Sequence, residues 1–309
     1  MTFTGVSIMK SHDKGAKKGN VGIIGVGLLG AVFIARLKAA GFDVLAFDIC
    51  SERRDQAQSQ GAKAAQSMAE LALACSSILV TVYSTGQVRS VIKTIADVPN
   101  KERAKFLTIL CSTTLDPDSV NGVYQQASEA GIEFVEFPVS GTSSQVAKGE
   151  GFGLLGCNPE LFVTQYHIIN SLTPRSINFC KIGAASRAKL AINLVLEINR
   201  SALAEGLIFA ELLGVETDVF IQALKASAAY SSVMNVKADK MLQHDFTPEG
   251  RCSQSLKDIQ MMLKLARKRR QTLPLTSTQA DLLMNCVEAQ EGDLDSSAVI
   301  YALRRLKAT

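Results

Sequence analysis

NVGIIGVGLLGAVFIARLKAAGFDVLAFD, residues 20–48, reads as a strand, a glycine turn, a helix, a short loop and a second strand that closes on an acid. The apolar run 21–24 suits a strand buried on both faces of a parallel sheet. Gly25, Gly27 and Gly30, with Val26, Leu28 and Leu29 between them, form G-x-G-x-x-G, and residues 31–39 continue as a helix. In that pattern one glycine permits a tight turn, one lets backbone N–H groups approach a pyrophosphate, and one allows the helix to pack on the strand. The helix N-terminus adds unpaired donors and partial positive charge. Gly41 is a natural helix stop, and residues 42–47 read as the second strand. Asp48 follows where an acid accepts hydrogen bonds from the adenosine ribose, about 20 residues past the glycines. A carboxylate there favours NAD over NADP, whose 2′-phosphate it would repel. Arg53 and Arg54, just beyond, soften that preference and keep NADP open. The competing interpretation is a glycine-rich turn in an unrelated α/β unit. The strand before the turn, the helix after it and the acid at the right distance favour a dinucleotide site.

Outside this unit, composition narrows the class. A chain of 309 residues accommodates two domains and a sizeable core. It is 47% hydrophobic, with no apolar run near the ~18 residues that would span a bilayer, so no membrane association is expected. A net charge of +4, with acids and bases interleaved, gives no reason to expect nucleic acid as a partner and is compatible with an anionic substrate. Seven scattered cysteines without a C-x-x-C, and only three histidines, argue against a metal site or a disulfide framework. They point to a reducing, cytoplasmic compartment. His12, His167 and His244 have no sequence partners that suggest chemistry. Residues 1–19, with Lys10, Lys14, Lys17 and Lys18 and no apolar core, read as a disordered leader. The basic run Arg267-Lys268-Arg269-Arg270 reads as the solvated last turn of a helix.

Further along, strands and helices alternate. Helices are expected over 51–60, capped by Ser51, in a short segment capped by Ser67, around 88–95, and from Asp116-Pro117 to 130. Strands are expected at 77–83, 106–111, 133–139, 153–155 and 176–179, with a helix from about Pro159 between the last two. This alternation means an α/β protein with a doubly wound parallel sheet, whose ligands lie at the carboxyl ends of the strands. The loops at Tyr83-Ser84, Ser112-Thr113 and Ser140 should therefore face the cofactor. From Ser186 onward only helical periodicity remains, beginning with one long helix over 186–213. At 1.5 Å per residue that helix spans roughly 40 Å, enough to connect two domains. Five further helices follow, over 216–226, 231–244, 253–268, 274–290 and 295–306. The expected division is a leader 1–19, a nucleotide-binding domain 20–185, and a linking helix with an all-helical domain 186–309.

Lys189 and Asn193 fall at i and i+4 on the first turns of the long helix, hence on one face. A lysine there could exchange a proton with a substrate oxygen. Its ordinary pKa near 10.4 is too high for a base at neutral pH, but burial and a cationic nicotinamide would lower it. From spacing alone, a surface lysine is the commoner outcome. The pair Lys257-Asp258 is likewise usually solvated. Ser140-Gly141-Thr142 after a strand could hold a carboxylate through N–H and O–H donors, or be a plain turn. No cysteine has a context that lowers its pKa, which leaves no thiol nucleophile.

With GVGLLG at 25–30, FPVSGT at 137–142, GAASRAKLAIN at 183–193 and LKD at 256–258, residues 20–303 resemble the β-hydroxyacid dehydrogenases, the group of 3-hydroxyisobutyrate dehydrogenase and tartronate semialdehyde reductase. The resemblance implies a Rossmann-type N-terminal domain, a long connecting helix and an all-helical C-terminal domain. It implies Lys189 as general acid/base, and Asn193 holding the substrate or positioning that lysine. Ser140, Gly141 and Thr142 would bind the substrate carboxylate and neighbouring hydroxyl. Lys257 would close the site from the helical domain, with Asp258 orienting it. Tyr83, Ser84, Ser112 and Thr113 would lie along the nicotinamide half. A homodimer or homotetramer through the C-terminal helices is implied as well.

Several residues depart from the family pattern. Thr142 stands where the substrate loop usually has a second glycine, Glu136 is the acid two residues before the proline of that loop, and Ala185 replaces a glycine before the lysine. Gly250, Cys252 and Gln254 replace large apolar residues before Lys257. A smaller, more polar pocket wall points away from 3-hydroxyisobutyrate and toward a bulkier or more polar hydroxy acid, such as a sugar-derived one. Two other functions compete with hydride transfer to or from a β-hydroxy acid: a catalytically silent nucleotide-binding module that recognises a partner protein, and an imine reductase of related fold. Lys189 and Asn193 speak against the first, and a lysine proton donor against the second.

Overall fold

The computed structural model describes residues 18–306. Of the expected leader only Lys18 and Gly19 fall within it, and both belong to the first strand. Residues 1–17, with Lys10, His12, Lys14 and Lys17, lie outside the described residues.

The N-terminal half is β1 (Lys18–Ile24), α1 (Leu28–Ala39), β2 (Phe42–Phe47), α2 (Ser51–Ser59), β3 (Lys63–Ala64), α3 (Met68–Ala74), β4 (Ser77–Val80), α4 (Thr85–Ala96), β5 (Thr108–Cys111), α5 (Val120–Glu129) and β6 (Glu133–Glu136). These six strands form one parallel sheet in the order β3-β2-β1-β4-β5-β6. The order reverses between β1 and β4, and such a switch point opens a crevice at the strands' carboxyl ends. The inner part of β1 (Val21, Ile23, Ile24) and most of β4 (Ile78, Leu79, Val80) and β5 (Ile109, Leu110, Cys111) are apolar and buried because helices cover both sheet faces. One face packs Val21, Ile23, Leu79 and Leu110 against Phe33, Ile34 and Leu37 of α1. The other packs Ile78, Val80 and Ile109 against Leu71, Val88, Ile92 and Val123.

A second, three-stranded sheet follows, of β7 (Val139–Ser140), β8 (Phe152–Leu155) and β9 (Arg175–Asn178), with α6 (Ser143–Ala147) and α7 (Pro159–Leu172) between its strands. It departs from the single expected sheet. Pro138 has no N–H for a ladder, so the strand expected over 133–139 splits there and continues as β7, antiparallel to β8. Residues 81–83 leave β4 early, and Phe106, expected to begin a buried strand, is 77% exposed with a φ of 58°. Ser51 does not cap α2 but lies inside it, hydrogen-bonding to Glu52, whereas Ser67 caps α3 as expected.

α8 (Ala184–Leu212) then runs 29 residues, about 43 Å. It is packed by α9 (Thr217–Ala226), α10 (Val233–Gln243), α11 (Cys252–Lys268), α12 (Pro274–Glu288), a 3-10 turn (Ser296–Ala298) and α13 (Val299–Arg305). Their core is a third cluster around Leu203, Leu207, Ile259, Leu283 and Val299. The basic run at the end of α11 does more than meet water: Lys268 and Arg269 pair with Asp118 of the sheet half at 2.7 and 3.3 Å.

The glycine turn is held by close backbone approach. Gly25 has a φ of +97°, and a Cβ on Gly30, which lies inside α1, would come within 2.0 Å of the Gly25 carbonyl oxygen. A Cβ on Gly27 would meet open space. Gly30→Ala is therefore expected to cost about 2 kcal/mol, while Gly27→Ala leaves the melting temperature nearly unchanged. Calorimetry of the two variants tests this ordering.

Candidate functional site

At the switch point, where the sheet meets α8, α10 and α11, lies a cavity of about 740 Å³. Its nucleotide side is walled by Gly25, Gly27, Leu28, Leu29, Asp48, Arg53, Tyr83, Ser112 and Thr113. Ser140, Gly141, Thr142, Lys189, Asn193 and Asp258 line the far side. Val26, in the turn, and Gly30, in the first turn of α1, are buried behind the wall. Ser84 does not reach the cavity. Its hydroxyl caps α4 by accepting from the Gln87 N–H, a structural duty the S-T-G-Q spelling could have disclosed. Thr113 donates its hydroxyl to the Val82 carbonyl at 2.8 Å.

A dinucleotide fits this wall. Gly27 is the N-cap of α1 and makes no side-chain cap, and the first turn holds no acid, so its N–H groups face a cavity with room for a phosphate. Ser112 Oγ is buried without a partner, a polar atom left for a ligand. Asp48, expected as the ribose acceptor, also has a structural duty. Its carboxylate receives the Val26 N–H at 2.7 Å and the Cys50 N–H at 2.9 Å, tying the second strand to the glycine turn. Lone pairs remain on both oxygens, since a carboxylate accepts about four hydrogen bonds. Arg53 approaches it to 3.7 Å and is half-exposed on the cavity wall.

Lys189 is 7% exposed, not the surface lysine that spacing alone suggested. Among the described residues its ammonium has no hydrogen-bond partner. Burial lowers its pKa to about 8, against the opposing pull of the Asp258 and Glu197 carboxylates. Asn193 donates from Nδ2 to Asp258 Oδ2 at 3.0 Å, and its Oδ1 is buried and unpaired. Burial also raises the Asp258 carboxyl above the usual range, partly offset by Lys257 and Lys189. Lys257 lies outside the cavity wall. Its amine donates to the Tyr83 carbonyl at 3.0 Å, sits over the Tyr83 ring and approaches Asp258 to 3.4 Å. It thereby ties α11 to the loop after β4.

Thr142 caps α6 and exchanges hydrogen bonds with Gln145, leaving its hydroxyl hydrogen free. The polar wall expected from Gly250, Cys252 and Gln254 holds for the first and third. Cys252 is fully buried beneath them, with its thiol on the Asp295 carbonyl.

Two groups of residues escaped the sequence reading. The first is the surroundings of Glu136. This carboxylate is wholly buried and accepts the Gly183 N–H, the Ser186 N–H at 3.2 Å and the Ser186 hydroxyl at 2.5 Å. It sets an anion at the N-terminus of α8 and so fixes the helix that carries Lys189. The second is Glu197, Arg200 and Ser255, which line the cavity beyond Asn193. Glu197 and Arg200 continue the Lys189–Asn193 face of α8 at helical spacing, a signal present in the sequence.

A six-stranded nucleotide-binding sheet with a glycine turn, joined to a helical half that supplies a buried lysine, defines a nicotinamide-dinucleotide protein. Residues 20–181 match the NAD-binding domain of 6-phosphogluconate dehydrogenase, and residues 183–303 the NAD-binding domain of NADP-dependent 3-hydroxyisobutyrate dehydrogenase. The chain belongs to the β-hydroxyacid dehydrogenase family. It is 26% identical over 287 residues to an L-threonate dehydrogenase of Cupriavidus necator, covering 91% of this chain and 95% of that one. It is 25% identical to the 2-hydroxy-3-oxopropionate reductase of Escherichia coli, over 92% and 96% of the two chains. The fold of Mycobacterium tuberculosis 3-hydroxyisobutyrate dehydrogenase superimposes with a TM-score of 0.81 at 22% identity, over 93% and 99% of the two chains.

Removing the Glu136 carboxylate leaves three buried donors unpaired at the start of α8. Glu136→Ala is expected to cost about 3 kcal/mol, a melting temperature lower by roughly 6–12 °C, measurable by thermal denaturation.

Proposed function

We propose that this protein reversibly oxidises a β-hydroxy acid to its semialdehyde or oxo acid with NAD, Lys189 serving as general acid/base. NADP is the secondary cofactor, admitted by Arg53 beside Asp48. The observation that carries the proposal is a buried ammonium without a hydrogen bond, lining the same cavity as the glycine turn. When bound, the nicotinamide supplies the two-electron chemistry by accepting or returning a hydride.

The chain's own residues handle position and proton. Ser140, the Gly141 N–H and the Thr142 hydroxyl hold the substrate carboxylate. Neutral Lys189 takes the proton of the carbinol hydroxyl in the oxidation direction, and its ammonium returns that proton in reduction. Asn193, held by Asp258, presents its free Oδ1 to the lysine or to the substrate hydroxyl. Lys257 acts at one remove, holding the Tyr83 loop against the nicotinamide half of the site. The relatives that act on threonate and on 2-hydroxy-3-oxopropionate support the same substrate class. A silent binding module has no use for a desolvated, unpaired amine, and an imine reductase would call for a different proton donor. A homodimer or homotetramer through the helical half is part of this proposal. Phe209, Leu212 and Leu213 leave apolar surface at the end of α8 that a second copy would cover.

Lys189→Met should leave the NADH dissociation constant within about threefold while kcat falls by ~10²–10⁴. Fluorescence titration and steady-state rates check the pair, and near-normal turnover refutes the role assigned to Lys189.

The pH dependence has a definite sign. The folded pKa of about 8 lies below the ordinary 10.5, so the base form grows in as pH rises through 8. kcat/KM for oxidation should climb to a plateau above that inflection, and for reduction should fall across it. Stability follows the same group: burying the charged amine is unfavourable below pH 8, and that penalty fades between 8 and 10.5. Rate profiles in both directions across pH 6–10 provide the check.

A further inference from the structure

The cavity extends past Asn193 to a polar chamber that proton transfer does not use. Glu197 and Arg200 are 4% and 5% exposed, and Arg200 Nη1 meets Glu197 Oε2 at 2.5 Å. Ser255, reaching over from α11, donates to Glu197 Oε1 at 2.8 Å. Arg200 Nε is buried and without a partner. All three residues line the cavity, on the face of α8 that carries Lys189. Glu197 lies two turns beyond Lys189, about 12 Å between backbones at 1.5 Å per residue, while its carboxylate still acts on the Lys189 amine. A substrate whose reacting carbon faces Lys189 therefore needs carbons beyond it to reach this chamber.

We propose that Glu197, Arg200 and Ser255 select the tail of the substrate, and that the tail is neutral and polyhydroxylated. This rests on the dehydrogenase reading above. The buried charges at this end are already matched. Arg200 is balanced by Glu197, and Lys237 by Asp295 at 2.9 Å and Glu249 at 3.3 Å, while Arg251, at the wall's exposed rim, has Asp293 at 3.5 Å. A second carboxylate in the chamber would find Arg200 and Lys237 already neutralised, would gain little from a solvent-screened Arg251, and would be repelled by Glu197. An alkyl tail would cover the pair and leave Arg200 Nε desolvated and unpaired, which is costly for a charged group. A hydroxyl both donates and accepts. Vicinal hydroxyls can give hydrogen bonds to Glu197 while receiving them from Arg200, which satisfies both without adding charge.

The test uses the full-length enzyme and three substrates with the same β-hydroxy acid head, carrying a methyl, a carboxylate or a dihydroxylated tail. The wild type should favour the hydroxylated tail by at least tenfold in kcat/KM. Glu197→Gln keeps the shape but leaves Arg200 uncompensated. It should lose about tenfold on the hydroxylated tail and gain about tenfold on the carboxylate tail. Arg200→Met should shift preference toward the methyl tail; if that variant does not fold, Glu197→Gln carries the test alone. If each variant changes all three substrates by the same factor, the cluster is a structural cross-link between α8 and α11, and the proposal is overturned. If the wild type turns over none of the three with NAD or NADP while still binding NADH, the dehydrogenase reading fails instead. Tail selection is then read from melting shifts of the NADH-bound protein. The largest shift with the hydroxylated acid supports the proposal, and equal shifts overturn it.

Discussion

The Lys189 ammonium, buried at the meeting of two differently built halves and without a hydrogen-bond partner among the described residues, is the constraint around which the site is arranged. Lys189 would ordinarily be protonated and solvated. Here burial outweighs the attraction of Asp258 and Glu197, so its pKa falls to about 8. Neither carboxylate makes a hydrogen bond to it; Asp258 is engaged by Asn193, and Glu197 by Arg200 and Ser255. The local charges thus keep the amine from being lost to the neutral form altogether, without immobilising it in an ion pair.

Holding such a group demands a rigid frame. Glu136, at the end of the last strand of the parallel sheet, binds the first turn of α8 through two N–H groups and a hydroxyl. A side chain at the last position of a strand thereby dictates where Lys189 stands. On the other wall, Asp48 ties the second strand to the glycine turn, and Gly30 lets α1 approach that turn more closely than any side chain would allow. Lys257, on the Tyr83 carbonyl, and the Asp118 pairs with Lys268 and Arg269 then join the halves across the cleft. The exposed pairs among these set register more than stability, since such pairs contribute about 0–1 kcal/mol each.

Beyond the lysine, the chamber is polar yet balanced in charge. Buried ion pairs of this kind rarely add net stability over an apolar packing of the same shape, because desolvation offsets their attraction. Their placement on a cavity wall, with one guanidinium nitrogen left unpaired, is better accounted for by ligand recognition than by folding.

The glycine turn, the first two strands and the long helix were legible in the sequence because each rests on local chemistry: backbone freedom at Gly25, β-strand apolar runs, 3.6-residue periodicity after Gly183. The pairing of Lys189 with Asn193 was legible for the same reason, as neighbours on one helix. What lay across the chain was not. Ser84 and Thr113 were both expected beside the cofactor; the Ser84 hydroxyl caps α4, and Thr113 lines the cavity with its hydroxyl held by the Val82 carbonyl. Pro138 breaks a run that local patterning made continuous, and sends its second part to another sheet. Local sequence determined the elements and the nucleotide turn. Whether Lys189 met open water or the depth of a cavity was decided only by packing, because burial, and with it the pKa of an amine, depends on atoms contributed by distant stretches: Asp258 on α11, and the sheet half held by Glu136.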